Sequence, residues 1–250
     1  MEKVAGPLPT KKGYKRVVVK ISGEGFSSEN RVIDRDSVKS IALELKLAHD
    51  QAVELAVMVG GGNIVRGNEL SRLGTNRAQA DYMGMIATVI NALVLQDALE
   101  ALGLKACVQS AIEIANMVEP YNRKKCLRYL EEKKIVLLAG GLGNPYFTTD
   151  TAAALKAIEL GAEVLLKATK VEGVYSEDPM VNPKAKFFSR LTYSQVLNGK
   201  LKAMDSTAIT LCMENHLPII VFNLRKEENI RRAVHKEPVG TYIGEAESES

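Results

Sequence analysis

Tryptophan is absent from the 250 residues and aromatics make up only 5%, too few for the stacking platform of a single-strand groove. Acidic and basic residues, 30 and 33, nearly cancel to a formal net charge of +3. No block of like charge is long enough to form a basic stripe, so no nucleic-acid partner is expected. Cysteine is scarce, and the spacing of Cys107, Cys126 and Cys212 fits neither a disulfide framework nor a zinc site; they read as buried cytosolic thiols. The three histidines, His49, His216 and His235, stand apart, and no metal held by the protein alone is expected. The start, MEKVAGPLPTKKGYKR, has no apolar stretch behind it, so neither a secretory signal nor an anchor is expected. No apolar run approaches the roughly 18 residues of a membrane span. These absences leave a cytoplasmic chain that touches neither membrane nor nucleic acid.

What is present is a hydrophobic content of 46%, enough for a sizeable core in one compact domain. Short apolar runs alternate with helical periodicity: Val17 to Ile21, a helix from Asp34 to His49, then Leu55 to Val59 ending in three glycines. A long helix follows from about Ala78 to Leu102. Further strands are expected at Ala106–Val108, Ile135–Leu138, Val164–Leu166 and Ile219–Phe222. This βαβ rhythm, with strands apolar throughout, predicts a mostly parallel sheet covered on both faces. The segment from Lys170 to Leu191 breaks all periodicity and reads as a long loop. Asp34 and Asp205 are plausible N-caps, as are Thr148, Thr149 or Asp150 for the helix through Leu160.

Three glycine-containing turns, Ser22–Gly25, Gly60–Asn63 and Gly140–Asn144, each follow a predicted strand. In a parallel sheet they converge at the carboxyl ends of the strands, where ligands bind. There glycine lets backbone amides approach an anion. Neither G-x-x-x-x-G-K-[ST] nor a complete G-x-G-x-x-G occurs. Lys20 interrupts an apolar strand just before Ser22–Gly23, which requires its ammonium to be paired or wet; a lysine snorkelling at the sheet rim is the plainer reading. Arg66 sits near the first turn of a helix opened by the glycines, within reach of the same anion. Asp81, Gly84 and Thr88 share one helical face, and a glycine inside a helix points to close approach by a ligand or another backbone. Asp150 and Asp205 are the remaining carboxylates of interest, each explicable as a cap.

The string Gly143-Asn-Pro-Tyr-Phe-Thr-Thr-Asp150 is more specific than turn chemistry, and it closely resembles the motif of bacterial UMP kinases, a branch of the amino acid kinase family. Other segments agree in order: Lys20-Ile-Ser-Gly23, Gly60-Gly-Gly-Asn-Ile-Val-Arg66, Asp81 to Thr88, Lys167 to Tyr175 with Asp178-Pro179, and Leu201 to Asp205. The resemblance spans about residues 14–243. It leaves residues 1–13 as an N-terminal extension and 244–250 as an acidic tail.

The resemblance implies an αβα sandwich with an acceptor half (about 14–168) and an ATP half (about 169–243). It implies a homohexamer that uses ATP with Mg²⁺ to convert UMP to UDP in pyrimidine nucleotide biosynthesis, with UTP as feedback inhibitor. Lys20, Ile21, Ser22, Gly23, Gly62 and Arg66 would contact ATP phosphates, and Thr169, Tyr175 and Asp178 the adenosine. Gly61, Asp81 and the run Leu142, Gly143, Asn144, Pro145, Tyr146, Phe147, Thr148 and Thr149 would hold UMP. Lys20, Asp150 and Asp205 would be catalytic. The segment Gly25–Asn30 is shorter than the effector-contacting segment of GTP-activated relatives. The competing readings are a carboxylate or carbamate kinase of the same fold and a catalytically silent UTP or ATP sensor.

Overall fold

The structure, a computed structural model, describes residues 13–66 and 74–246. Valine-, leucine- and isoleucine-rich runs become strands that are stable only when both faces are covered. They are β1 (Arg16–Ile21), β2 (Glu54–Val59), β3 (Ala106–Ser110), β4 (Glu119–Pro120), β5 (Ile135–Ala139), β6 (Val164–Thr169), β7 (Val174–Tyr175), β8 (Phe187–Phe188), β9 (Arg190–Thr192), β10 (Ile219–Asn223) and β11 (Thr241–Gly244). Nine of them form one sheet in the order β4-β3-β5-β2-β1-β6-β10-β11-β9. Every pairing in that sheet is parallel except β10 with β11.

Alternation along the strands divides the core into two layers. Val17, Val19 and Ile21 face α1 (Arg35–His49), α2 (Arg77–Ala101) and, further along, α7 (Asn229–Val234). Val18 and Leu165 face the layer of α3 (Arg123–Glu131), α4 (Thr149–Leu160), α5 (Tyr193–Asn198) and α6 (Ser206–Glu214). The result is the expected αβα sandwich.

Helix starts follow capping chemistry. Asp34 accepts from Ser37 N at 3.0 Å, Thr148 from the amides of Asp150 and Thr151, and Asp205 from Ala208 N at 3.0 Å. α7 has no side-chain cap of its own. The buried Glu44 of α1 supplies one, accepting from Glu228 N at 2.6 Å and Ile230 N at 3.3 Å. Burial is the main reason its carboxyl is raised above the usual range, the two amides acting against it.

Several sequence expectations are corrected here. The segment 170–191 is not all loop: β7 and β8 pair as an antiparallel ribbon, stiffened by Tyr175 and Phe187 in edge-to-face contact at 5.4 Å. β11 takes in Gly244, one residue into the expected tail. α2 is long and apolar enough to cross a membrane by length and composition, at mean hydropathy 1.4 over 18 residues. Isolated polar residues break its apolar run, so it holds no continuous apolar span. Part of this helix is core, since Val89, Ala92, Leu95 and Leu99 pack into the sheet. The helix expected to open at the glycines, with Arg66 near its first turn, is not formed among the described residues: 62–64 make only a turn and 65–66 have no regular structure, while 67–73, like 1–12 and 247–250, lie outside the described residues.

Phe26 closes the short 3-10 turn Gly23–Phe26 that follows β1, and it is fully buried. It therefore fixes the turn that begins the candidate site. Phe26→Ala is expected to cost about 3–5 kcal/mol in urea unfolding, the range for deleting a buried aromatic. A loss under about 1 kcal/mol would show that the turn is held some other way.

Candidate active site

In this sheet β2 lies on one side of β1 and β6 on the other. β1 and β6 are thus where the direction of strand addition reverses, and ligands bind beyond the carboxyl ends of strands at such a switch point. Lys20 and Lys167 lie near those ends and are direct register partners. Both extend to the face of Val18 and Leu165, because side chains two residues apart along a strand share a face.

Two ammonium groups side by side repel, and burial worsens the conflict. Asp150, in the first turn of α4, resolves it: Oδ1 lies 2.8 Å from Lys20 Nζ and Oδ2 2.6 Å from Lys167 Nζ. Lys167 also donates to the carbonyl of Ala203 at 2.6 Å. Burial alone would raise the Asp150 carboxyl, but the two lysines outweigh it and hold the group down to about 2. Burial likewise pushes Lys167 down, against the attraction of Asp150. Asp205 supports the same helix start, its oxygens accepting from the hydroxyls of Thr148 and Thr151 while it caps α6. It touches neither lysine by a direct bond; its place is behind Asp150.

The glycine turns meet as the sequence predicts. A Cβ on Gly23 would lie 2.4 Å from Gly62 N, and one on Gly60 2.7 Å from Gly23 N, so the loops after β1 and β2 pack backbone on backbone. A Cβ on Gly61 would strike Gly84 O at 2.8 Å and Thr88 N at 2.9 Å in α2. The close approach thus constrains Gly61, whereas a Cβ on Gly84 itself would meet nothing within 4 Å, so no neighbouring backbone accounts for that glycine.

α2 fixes all the loops around it. Asn91, fully buried, donates to Gly60 O at 2.8 Å and to Asn63 Oδ1 at 2.7 Å. Thr88 accepts from Gly140 N at 2.7 Å. Asp81 accepts from Tyr146 N at 2.8 Å and is bracketed by Arg77 Nε. Tyr146 adopts φ 72, a left-handed conformation costly for a non-glycine residue, and the hydrogen bond its backbone N–H donates to Asp81 helps hold it.

These elements enclose a cavity of about 410 Å³. Gly61, Asp81, Leu142, Asn144, Phe147 and Thr149 line it, together with Gly62, Arg66, Gly84 and Thr88. Of the residues expected to hold UMP, Gly143, Pro145, Tyr146 and Thr148 lie in the same loop without lining the cavity. Of those expected to hold ATP, Gly62 and Arg66 line this cavity, while Ser22 and Thr169 border a separate one. Tyr175 and Asp178 line a third hollow, also of about 410 Å³, beside Lys200 and Lys202. The side chain of Thr169 closes a local turn with Val171, and Asp178 accepts from Met180 N.

Sequence reading did not single out Lys167, Asn91 or Glu24. Lys167 was detectable, since it interrupts the apolar VLLKAT as Lys20 interrupts VVVKI. Asn91 carries no comparable signal, because one asparagine in a helix does not announce what it faces. Glu24 pairs with both Arg66 and Lys170, contacts between segments distant in sequence.

The amino acid kinase family profile matches residues 15–223. The fold is similar to the UMP kinase of Bacillus anthracis at 33% identity and TM-score 0.89, covering 93% of this chain and 96% of that one. It is similar to the UMP kinase of Ureaplasma parvum at 34% identity and TM-score 0.87, covering 92% and 99%. The uridylate kinase of Archaeoglobus fulgidus aligns at 27% identity and TM-score 0.71, over 91% and 99%. With a profile match running from the start of β1 through β10 and a cluster of paired lysines at the switch point of the sheet, this chain belongs to the amino acid kinase family.

Proposed function

We propose that this chain transfers the γ-phosphoryl group of ATP to UMP, giving UDP and ADP. The observation that carries the reading is the Lys20–Asp150–Lys167 cluster, adjoining a cavity walled by glycine backbone and by the Leu142–Thr149 loop. The solved structures it resembles are named UMP or uridylate kinases. In this reading residues 14–168 form the acceptor half and 169–243 the ATP half.

An oxygen of the UMP phosphate attacks the γ-phosphorus while the bond from that phosphorus to the β-bridging oxygen breaks. The acceptor is already an oxyanion, so no general base has to create the nucleophile. The work is in-line positioning and neutralisation of charge. Lys20 and Lys167 offer two ammonium groups to the transferring phosphoryl, and Asp150 between them offsets their mutual repulsion. Amides of Gly61 and Gly62 and the guanidinium of Arg66 steady phosphate oxygens. Gly61, Asp81 and residues 142–149 hold the uridylate. Thr169, Tyr175 and Asp178 serve the adenosine. Asp205 acts through Thr148 and Thr151, orienting the start of α4.

Mg²⁺ fits this donor set as an ion carried by the nucleotide. Among the described residues no group of three or more His, Cys, Asp or Glu side chains is placed to hold a metal, and Mg²⁺ commonly keeps waters and substrate oxygens. Asp150 Oδ1, already 2.8 Å from Lys20 Nζ, would orient that ammonium or a water of such an ion. When bound with ATP, the ion neutralises charge on the phosphate oxygens.

Tyr82, Met83, Ile86 and Ile90 form an exposed apolar stripe on α2, which supports association of copies through this helix; in this reading the assembly is a homohexamer and its location the cytoplasm. UTP would act as a feedback inhibitor because it shares the uridylate moiety with the acceptor.

The direct test is ADP release with ATP and Mg²⁺, offering UMP, CMP, dTMP, carbamate and acetylglutamate in parallel. Turnover with UMP alone is expected, falling on the order of 10²- to 10³-fold in Lys20→Ala, as for loss of a preorganised donor. Turnover with a carboxylate or carbamate instead, or none with any acceptor, overturns the proposal. Two glycine variants separate space for a ligand from space for the fold. Gly84 opens on empty space, so Gly84→Ala should leave the unfolding midpoint unchanged or higher. It should also raise KM for UMP about tenfold, by crowding the cavity. Gly61→Ala forces a Cβ onto Gly84 O and should lose about 1–3 kcal/mol of stability. Equal stability of the two would contradict this division.

The charge cluster has a pH signature. The Asp150 carboxyl is held at about 2 against an ordinary 3.8, so its charge stabilises the fold above the ordinary value, a contribution lost as pH falls towards 2. Asp150→Asn should cost about 3–5 kcal/mol near neutrality, as for one partner of a buried pair. In urea titrations across pH the gap between wild type and variant should narrow as pH falls from 4 to 2. A gap that stays constant would mean that the carboxylate charge is not what matters.

A further inference from the structure

Glu24 sits in the 3-10 turn after β1, between two cations that come from opposite sides of it. One carboxylate oxygen pairs with Arg66, and the other lies 3.0 Å from Lys170 Nζ. Arg66 follows the glycine loop after β2, and Lys170 follows β6, so the single carboxylate spans the mouth of β1. Arg66 is tethered independently, its Nε donating to Gly62 O at 3.1 Å. Gly62 and Arg66 line both the 410 Å³ cavity and a neighbouring one of about 480 Å³ that also contains Glu24 and Lys170. The Glu24–Arg66 pair therefore stands at the partition between two open spaces, and the carboxylate has room to swing out.

Carboxylate and phosphate oxygens compete for the same guanidinium and ammonium donors. We propose that Glu24 is an internal anion that occupies Arg66 and Lys170 in place of nucleotide phosphates and is displaced by them, so that it sets the selectivity of the site for polyanions. This rests on the assignment of Arg66 to ATP phosphate above. A triphosphate carries enough charge to take both cations from one carboxylate, and a lone phosphate does not. Partial burial opposes the charge on Glu24, but Lys170, Arg66 and Lys20 together hold its carboxyl below the usual range. It is thus a charged competitor at neutral pH.

The experiment is calorimetric titration of the full chain and Glu24→Gln with a non-hydrolysable ATP analogue, inorganic tripolyphosphate, orthophosphate and UMP. Two exposed ion pairs are released at no cost in the variant, so the analogue and tripolyphosphate should bind about two- to tenfold tighter. UMP affinity should be unchanged, and orthophosphate should gain detectable binding. Glu24→Ala should shift the polyanions in the same direction, which covers a glutamine that retains the contacts. Equal or weaker polyanion binding in both variants overturns the proposal and makes Glu24 a strut that positions Arg66. Tighter tripolyphosphate binding without UMP turnover would uphold the internal anion while removing the proposed reaction. Failure of wild type and variants alike to bind any polyanion overturns the internal anion whatever the turnover assay gives.

Discussion

Two lysines in direct register on neighbouring strands, with a carboxylate between them, are the constraint around which the rest of this structure is arranged. Without Asp150 the pair of Lys20 and Lys167 would put like charges together in a poorly solvated place, which folding does not tolerate cheaply. Asp150 can stand there only because α4 begins where it does. That start is set by Thr148 as cap and by Asp205, which grips Thr148 and Thr151 from α6. The carboxylates expected to matter for catalysis thus differ in kind. Asp150 touches the cations, whereas Asp205 fixes the element that carries Asp150.

α2 supplies the complementary constraint from the other side of the sheet. Asn91, Thr88 and Asp81 lie on one face and hold the loops containing Gly60, Gly140 and Tyr146 in turn. A loop of glycines has high conformational entropy and would not keep its amides aimed at an anion unaided. A half-buried helix bonded to each loop provides that order in advance. Pre-organised donors of this kind stabilise developing charge without reorganising during the reaction.

How legible this was from the sequence depended on whether the signal was local. Continuous apolar runs gave the strands from Val17 to Ile21 and from Ile135 to Leu138 to within a residue, and capping chemistry gave Asp34 and Asp205. Lys20 stood out because a charge in a buried strand demands a partner. Spacing could not pair it with Asp150, 130 positions away in sequence; only the family resemblance put both among the catalytic residues, and the packing of the start of α4 brings them together. Asn91 and Glu24 were missed for the same reason, their meaning lying in contacts across the sheet. The ribbon of β7 and β8 was hidden because two-residue strands carry no periodicity. Glu44, capping a helix that starts 185 residues later in the chain, belongs with them.

The electrostatics also narrow the chemistry. A carboxylate held near 2 by two ammonium groups is a poor proton acceptor at neutral pH, and both oxygens of Asp205 are already occupied by hydroxyls and an amide. Asp150 is therefore ill suited to deprotonating an alcohol, since general-base catalysis asks for a group poised near the working pH. The proposed acceptor arrives as an oxyanion and asks no such step of Asp150. A cavity of about 410 Å³ has the size of a small-ligand pocket. Its glycine amides favour a phosphate at one end, and the Leu142–Thr149 loop leaves room for a bulkier moiety at the other. An anionic mononucleotide meets both conditions, whereas an alcohol acceptor fails the first.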